Sequence, residues 1–179
     1  MQRIARNAGR ALRLDRDLYS SLVYDGSATA DAVLIVLVIG AIPPLLGAAL
    51  GRIPLVALPS VAFAQVIGYL VGWLVAAGLV YLLSTKVFGG FGNWQSGLAL
   101  TGYAYVPLLL VAALGPILTN PFDGSSDMIE LLLRLGGMLW FGAGLTRVAD
   151  VAYEVPSERR IMVAALAVLG WWVITLILL

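Results

Sequence analysis

"VAFAQVIGYLVGWLVAAGLVYLLST" (residues 61–85) decides the fold. It carries no charged residue over twenty-five positions. A bilayer core about 30 Å thick needs about 20 consecutive apolar residues of helix. Such a run must satisfy its own backbone N–H and C=O groups in lipid, which a helix does. Four further stretches read the same way: 31–51, 95–118, 128–148 and 161–179. The composition agrees. Apolar residues make up 61% of the 179, against about 45–50% in soluble domains. The alternating pattern of a membrane β-barrel is absent. The expectation is an all-α polytopic membrane bundle of five transmembrane helices. Residues 1–30 form a basic N-terminal segment, and residues 31–179 form a single transmembrane domain.

The connections are short. "RIPLVALPS" (52–60) is apolar, with two prolines, and reads as an interfacial or dipping segment. "KVFGGFGNW" (86–94) is a glycine-rich turn with aromatic anchors of the kind that favour headgroup level. "TNPFDGSSD" (119–127) is a polar turn, and "ADVAYEVPSERR" (149–160) a longer polar segment. With the N-terminus in the cytoplasm, nine of the eleven basic residues fall on the cytoplasmic side. Only Arg52 falls in an outer loop, and Arg134 lies within a span. The positive-inside rule therefore gives N-terminus in and C-terminus out.

In "MQRIARNAGRALRLDRDLYSS", Arg3, Arg6, Arg10 and Arg13 recur every three or four residues and share one helical face. Ile4, Ala8, Ala11 and Leu12 lie roughly opposite. This pattern predicts an amphipathic helix on the inner leaflet, with its arginines contacting anionic lipid. The plainer reading is a positive flank that only sets topology. Nucleic acid is not an expected partner of a tail tethered at the membrane.

Charges inside spans are costly and often functional. Asp31, at the start of the first span, reads as solvated. Glu130 and Arg134 stand one turn apart near the outer end of the fourth span, and Gln65 has a similar depth in the second. The three form a candidate intramembrane polar cluster. The structural alternative is an intrahelical pair that lets Arg134 reach outward.

Ala64, Gly68, Gly72 and Ala76 form a small-residue ladder for close helix packing, within the monomer or at a dimer face. Pro43 and Pro44 predict a kink or interruption of the first span. Pro107 predicts one in the third, inside "GYAYVP" (102–107). There Gly102 admits a neighbouring helix. Tyr103 and Tyr105 bring hydroxyls that need partners, one of them expected to meet a carbonyl freed at Pro43–Pro44.

Enzyme chemistry finds no footing. The chain has no His and no Cys, the usual base and thiol nucleophile. The serine of "WQSGL" has no base to activate it. "GGFG" lacks the Lys and Ser/Thr of a phosphate loop. No catalytic residue, cofactor or metal site is expected.

"DLYSSL" (17–22) resembles the Asp-Leu-Tyr motif of the Yip family, the Ypt/Rab-interacting membrane proteins. "FGGFGNWQSGLALTGYAYVPLLL" (88–110) is similar to that family's glycine turn leading into a span with Gly-Tyr and then Pro. Ser20 and Ser21 replace the Gly-Pro often found after Asp-Leu-Tyr. The resemblance implies a Yip domain of five spans with a cytoplasmic N-terminus. Eukaryotic members look like adaptors that engage prenylated small GTPases. The short tail here resembles the prokaryotic branch, which implies the inner (cytoplasmic) membrane of a prokaryotic cell. The expected function is a non-enzymatic scaffold, adaptor or accessory subunit with a membrane-protein partner or a second copy of itself. The alternative is a small transporter, channel or lipid-moving protein.

Overall fold

Long runs rich in Leu, Ala, Val and Ile give long helices, because lipid offers the backbone no other hydrogen bonds. The structure is a computed structural model that describes residues 2–118 and 126–178. Most of these are helical, with no strand among them. Two short helices, α1 (Gln2–Leu12) and α2 (Arg16–Val23), precede the long ones. Then come α3 (Ala28–Ala49), α4 (Leu58–Leu82), α5 (Trp94–Ala104), α6 (Val106–Leu118), α7 (Ser126–Val151) and α8 (Ser157–Leu178). A π-helical turn, Leu83–Val87, extends α4.

Four stretches are long and apolar enough to cross a membrane: Ala28–Ala49, Leu58–Val87, Trp94–Leu118 and Met128–Val151. Helix α8 is a fifth rod, uncharged from Ile161 onward. The rods close a ring: α3 packs on α4, α4 on α8, α8 on α7, α7 on the α5–α6 pair, and that pair on α3. Outward faces carry Leu34, Val38, Phe63, Leu74, Leu139 and Leu169, all exposed. Much of the polar turn expected over 119–127 lies outside the described residues.

The third rod is broken. Helix α5 ends at Ala104, and the Tyr105 amide is shared between the Thr101 and Gly102 carbonyls at 3.2 Å each. Pro107 thus falls in the first turn of α6, where a missing N–H removes no helical bond. The interruption expected in the first rod is not found: α3 is one helix through Pro43 and Pro44. Proline's fixed φ suits a helix, so the loss is confined to bonds and ring contacts. A Cβ on Gly40 would stand 2.9 Å from the Val66 Cα, so α3 and α4 touch backbone to backbone one turn before the prolines.

On α4, Gly68, Gly72 and Ala76 are buried within the bundle, while Ala64 is exposed. Three steps of the ladder therefore serve packing inside the chain. Mid-ring, Tyr105, Phe141 and Trp171 stack edge to face, with centroids 4.7 Å (Tyr105–Phe141), 5.3 Å (Phe141–Trp171) and 6.0 Å (Tyr105–Trp171) apart. Each such pair contributes about 0.5–1.5 kcal/mol beyond burial. The cluster ties the α5–α6 break to α7 and α8.

Candidate functional site

Helices α1 and α2 dock on the bundle. The apolar face of α1 turns toward protein: Ala11 is fully buried, and Ile4, Ala8 and Leu12 pack against the core. Helix α1 rests on α5 and α6, on either side of the break at Tyr105. The indole of Trp140 on α7 donates to the Leu12 carbonyl at 3.0 Å. From "DLYSSL", Leu18, Tyr19 and Leu22 are buried where α2 packs on α5 and α7. These three side chains anchor the motif, while Asp17, Ser20 and Ser21 are exposed.

Ion pairs latch this docking. Arg3 donates to Asp25 at 3.0 Å and to Asp31 at 2.6 Å. Asp31 also accepts from the Tyr103 hydroxyl at 3.1 Å. The expectation that Asp31 is solvated is therefore corrected: it is buried, and its partners come from α1 and α5. The expected partner of the tyrosine pair is corrected as well. Tyr103 reaches a carboxylate, not a carbonyl near Pro43. Both tyrosines of "GYAYVP" are buried. Their neighbour Gly102 is the close-approach point foreseen, because a Cβ there would meet the Ala32 Cα at 2.9 Å.

The four arginines of the N-terminal face divide. Arg3 pairs with carboxylates, and Arg10 binds Asp15 at 2.7 Å. The Arg10 hydrogen bond holds the Asp15 carboxyl below the usual range, and Asp15 caps α2 through the Asp17 amide. The Ser27 hydroxyl and amide likewise hold Asp25 down. Arg6 and Arg13 remain exposed.

A second hub went unnoticed in the sequence. Asp150, near the end of α7, pairs with Arg16 of α2 at 3.2 Å and Arg160 of α8 at 2.9 Å. Its side chain is only 5% exposed. A carboxylate is unfavourable at a helix C-terminus, and two guanidiniums offset that. Beside it, the glycine turn crosses the α7–α8 loop. The Phe91 amide donates to the Tyr153 carbonyl at 2.9 Å, and a Cβ on Gly92 would collide with the Ala152 carbonyl. The buried Tyr153 hydroxyl presses on Gly97, and burial pushes its pKa up. Gly90, Gly92 and Gly97 thus make room for the Ala152–Tyr153 backbone and the Tyr153 ring.

At the opposite end of the ring, a cavity of about 630 Å³ opens among all five rods. Gln65, Glu130 and Arg134 all line it, so the structure gathers the three residues of the polar cluster. Glu130 and Arg134 are ion-paired within α7. Arg52 joins them, its guanidinium donating to the Pro116 carbonyl at 2.6 Å. Its place in an apolar connection hid it. Toward the ring centre the lining turns apolar, with Leu108, Val111 and Met138. The aromatic cluster lies beyond, Trp171 being shared by both. Among the described residues no group of three or more metal-ligating side chains converges.

Comparison with known proteins places this architecture. No curated protein matches the chain, and no solved structure does. A family model, the Yip1 domain, matches residues 7–179. That match runs from the docked α1 to the last rod and includes the Asp-Leu-Tyr segment with its buried Leu18 and Tyr19, the glycine turn and the Gly-Tyr helix; the chain belongs to the Yip1-domain family of integral membrane proteins.

Proposed function

We propose that the protein is a non-enzymatic scaffold or accessory subunit of a membrane complex. It crosses the membrane five times, α8 being the fifth span, with α1 and α2 cytoplasmic and the C-terminus outside. Nine of eleven basic residues then face the cytoplasm, which supports this orientation. The membrane is the inner membrane of a prokaryotic cell.

One observation carries the reading. The N-terminal helices are a docked platform, latched by Arg3 and Asp150 pairs, rather than a free tail. The platform leaves Arg6, Arg13 and the side chain of Tyr24 outward, Tyr24 being 90% exposed. A rigid face binds without the ordering cost of a flexible segment. Partners are membrane proteins or a second copy, with anionic lipid at Arg6 and Arg13.

The test is affinity purification of the full chain in mild detergent, with and without Arg6→Glu and Arg13→Glu. A stoichiometric partner lost in the folded double variant supports the platform. A partner retained unchanged in that variant contradicts it.

The second reading is a small transporter or lipid-moving protein. The Glu130–Arg134 pair inside the ring favours it. The aromatic cluster weighs against it, since it occupies the ring on the platform side of the cavity and must move for anything to pass.

A further inference from the structure

The geometry points to the five-rod cavity as a binding site for one glycerophospholipid, its phosphate on Arg52 and Arg134 and its acyl chains over the apolar floor. This inference does not depend on the scaffold role.

Charge comes first. Among the described lining residues, two guanidiniums, Arg52 and Arg134, stand beside one carboxylate, Glu130. Each guanidinium has five N–H donors in a planar fork. Arg52 gives one to the Pro116 carbonyl, and Arg134 gives one to Glu130, so both keep donors for a phosphate. Both side chains are reachable: that of Arg134 is 64% exposed, and Arg52 is exposed. The Glu130 carboxylate beside them suits an amine or hydroxyl of the same headgroup.

The second observation is the gradient. On α7 the lining runs Glu130, Arg134, Met138, passing from charged to apolar over two turns. On α6 it runs from Pro116, whose carbonyl holds Arg52, down to Val111 and Leu108. Both rods therefore place polar groups at the mouth and hydrocarbon below. A free phosphate fills only the first zone and a hydrocarbon only the second. An amphiphile fills both, and the surrounding bilayer supplies it at high local concentration. The volume lies inside the roughly 300–1,000 Å³ usual for ligand cavities.

The test uses the full chain in mild detergent, with bound lipid counted by native mass spectrometry. The probes are dioleoyl phosphatidylglycerol, dioleoylglycerol with the same tails and no phosphate, and inorganic phosphate. The wild type is expected to retain one phosphatidylglycerol, bound about tenfold or more tighter than dioleoylglycerol. Arg134→Gln is expected to lose about tenfold, Arg134→Lys less, and Lys86→Gln, exposed and outside the cavity lining, nothing. Ala112→Leu, which fills the floor and leaves the charges, tests the acyl half and is expected to weaken retention as well. If Arg134→Gln does not fold, Ala112→Leu and the headgroup comparison decide. Equal retention of dioleoylglycerol and phosphatidylglycerol overturns the proposal. So do displacement of the lipid by equimolar inorganic phosphate, or wild-type retention in both Arg134→Gln and Ala112→Leu.

Discussion

Tyr103 on α5 donates its hydroxyl to Asp31 on α3 at 3.1 Å, and Arg3 of α1 holds the same carboxylate oxygen at 2.6 Å. One buried carboxylate thus joins the N-terminal helix to two rods of the bundle. Tyr103→Phe removes a donor to a buried charge, a loss of about 1.5–3 kcal/mol. Thermal unfolding in detergent is expected to show a lowered Tm, with a smaller drop for Arg3→Gln because Arg3 is 45% exposed. An unchanged Tm for Tyr103→Phe would remove Asp31 from the latch.

The neighbouring Gly102 sets how close α3 and α5 come. A Cβ there meets the Ala32 backbone, which cannot swing aside as a side chain does. Gly102→Ala is expected to cost about 1–3 kcal/mol from overpacking. Ala32→Gly in the same chain removes the opposing Cβ and is expected to recover part of the loss. The check is the coupling energy of the double-mutant cycle; additive effects would mean that the two residues do not touch.

Asp150 is shared by two arginines, so either one alone partly compensates for the loss of the other. Arg16→Gln and Arg160→Gln are each expected to be mild. Together they strand a buried carboxylate, at a cost of about 3–5 kcal/mol. Adding Asp150→Asn to the double variant removes the stranded charge and is expected to raise the Tm again. A third substitution that lowers the Tm further would refute the hub.

Tyr153 gives a pH dependence. Burial raises its pKa in the folded state above the ordinary tyrosine value. Stability from the neutral phenol is therefore complete below about pH 10, the unfolded value, and falls as the pH rises above it. Among the described residues the hydroxyl has no hydrogen-bond partner, so Tyr153→Phe is expected to cost little at pH 7 and to blunt the alkaline loss. Unfolding midpoints from pH 8 to 11 provide the measurement. An identical alkaline limb in the wild type and the variant would place the titration elsewhere.

Residues 61–85 reveal a membrane helix because an uncharged run of that length has few other outcomes. Gly102 and the ladder from Gly68 to Ala76 were equally readable, since small residues inside such a run imply a close neighbour. The gathering of Gln65, Glu130 and Arg134 followed from depth alone: residues at one level in a ring of rods share a cavity. What stayed hidden depended on distant partners. Asp31 meets Arg3 and Tyr103 across 28 and 72 positions, and a lone acid at a span start looks wet until those partners are placed. The face of α1 was read correctly as amphipathic, but its apolar side found Ala11 a place in the protein core rather than in lipid. Pro43 and Pro44 do not interrupt α3, whose backbone meets that of α4 at Gly40 and Val66 one turn earlier.

The most direct measurement is the mass of the particle that mild detergent releases from native membranes. A scaffold or accessory subunit is expected to elute above the 19.0 kDa chain plus its detergent and lipid, with a second protein in fixed ratio or a second copy of itself. A lone chain that, once in liposomes, moves ions or lipid and stops on Arg134→Gln with its fold intact would contradict the account.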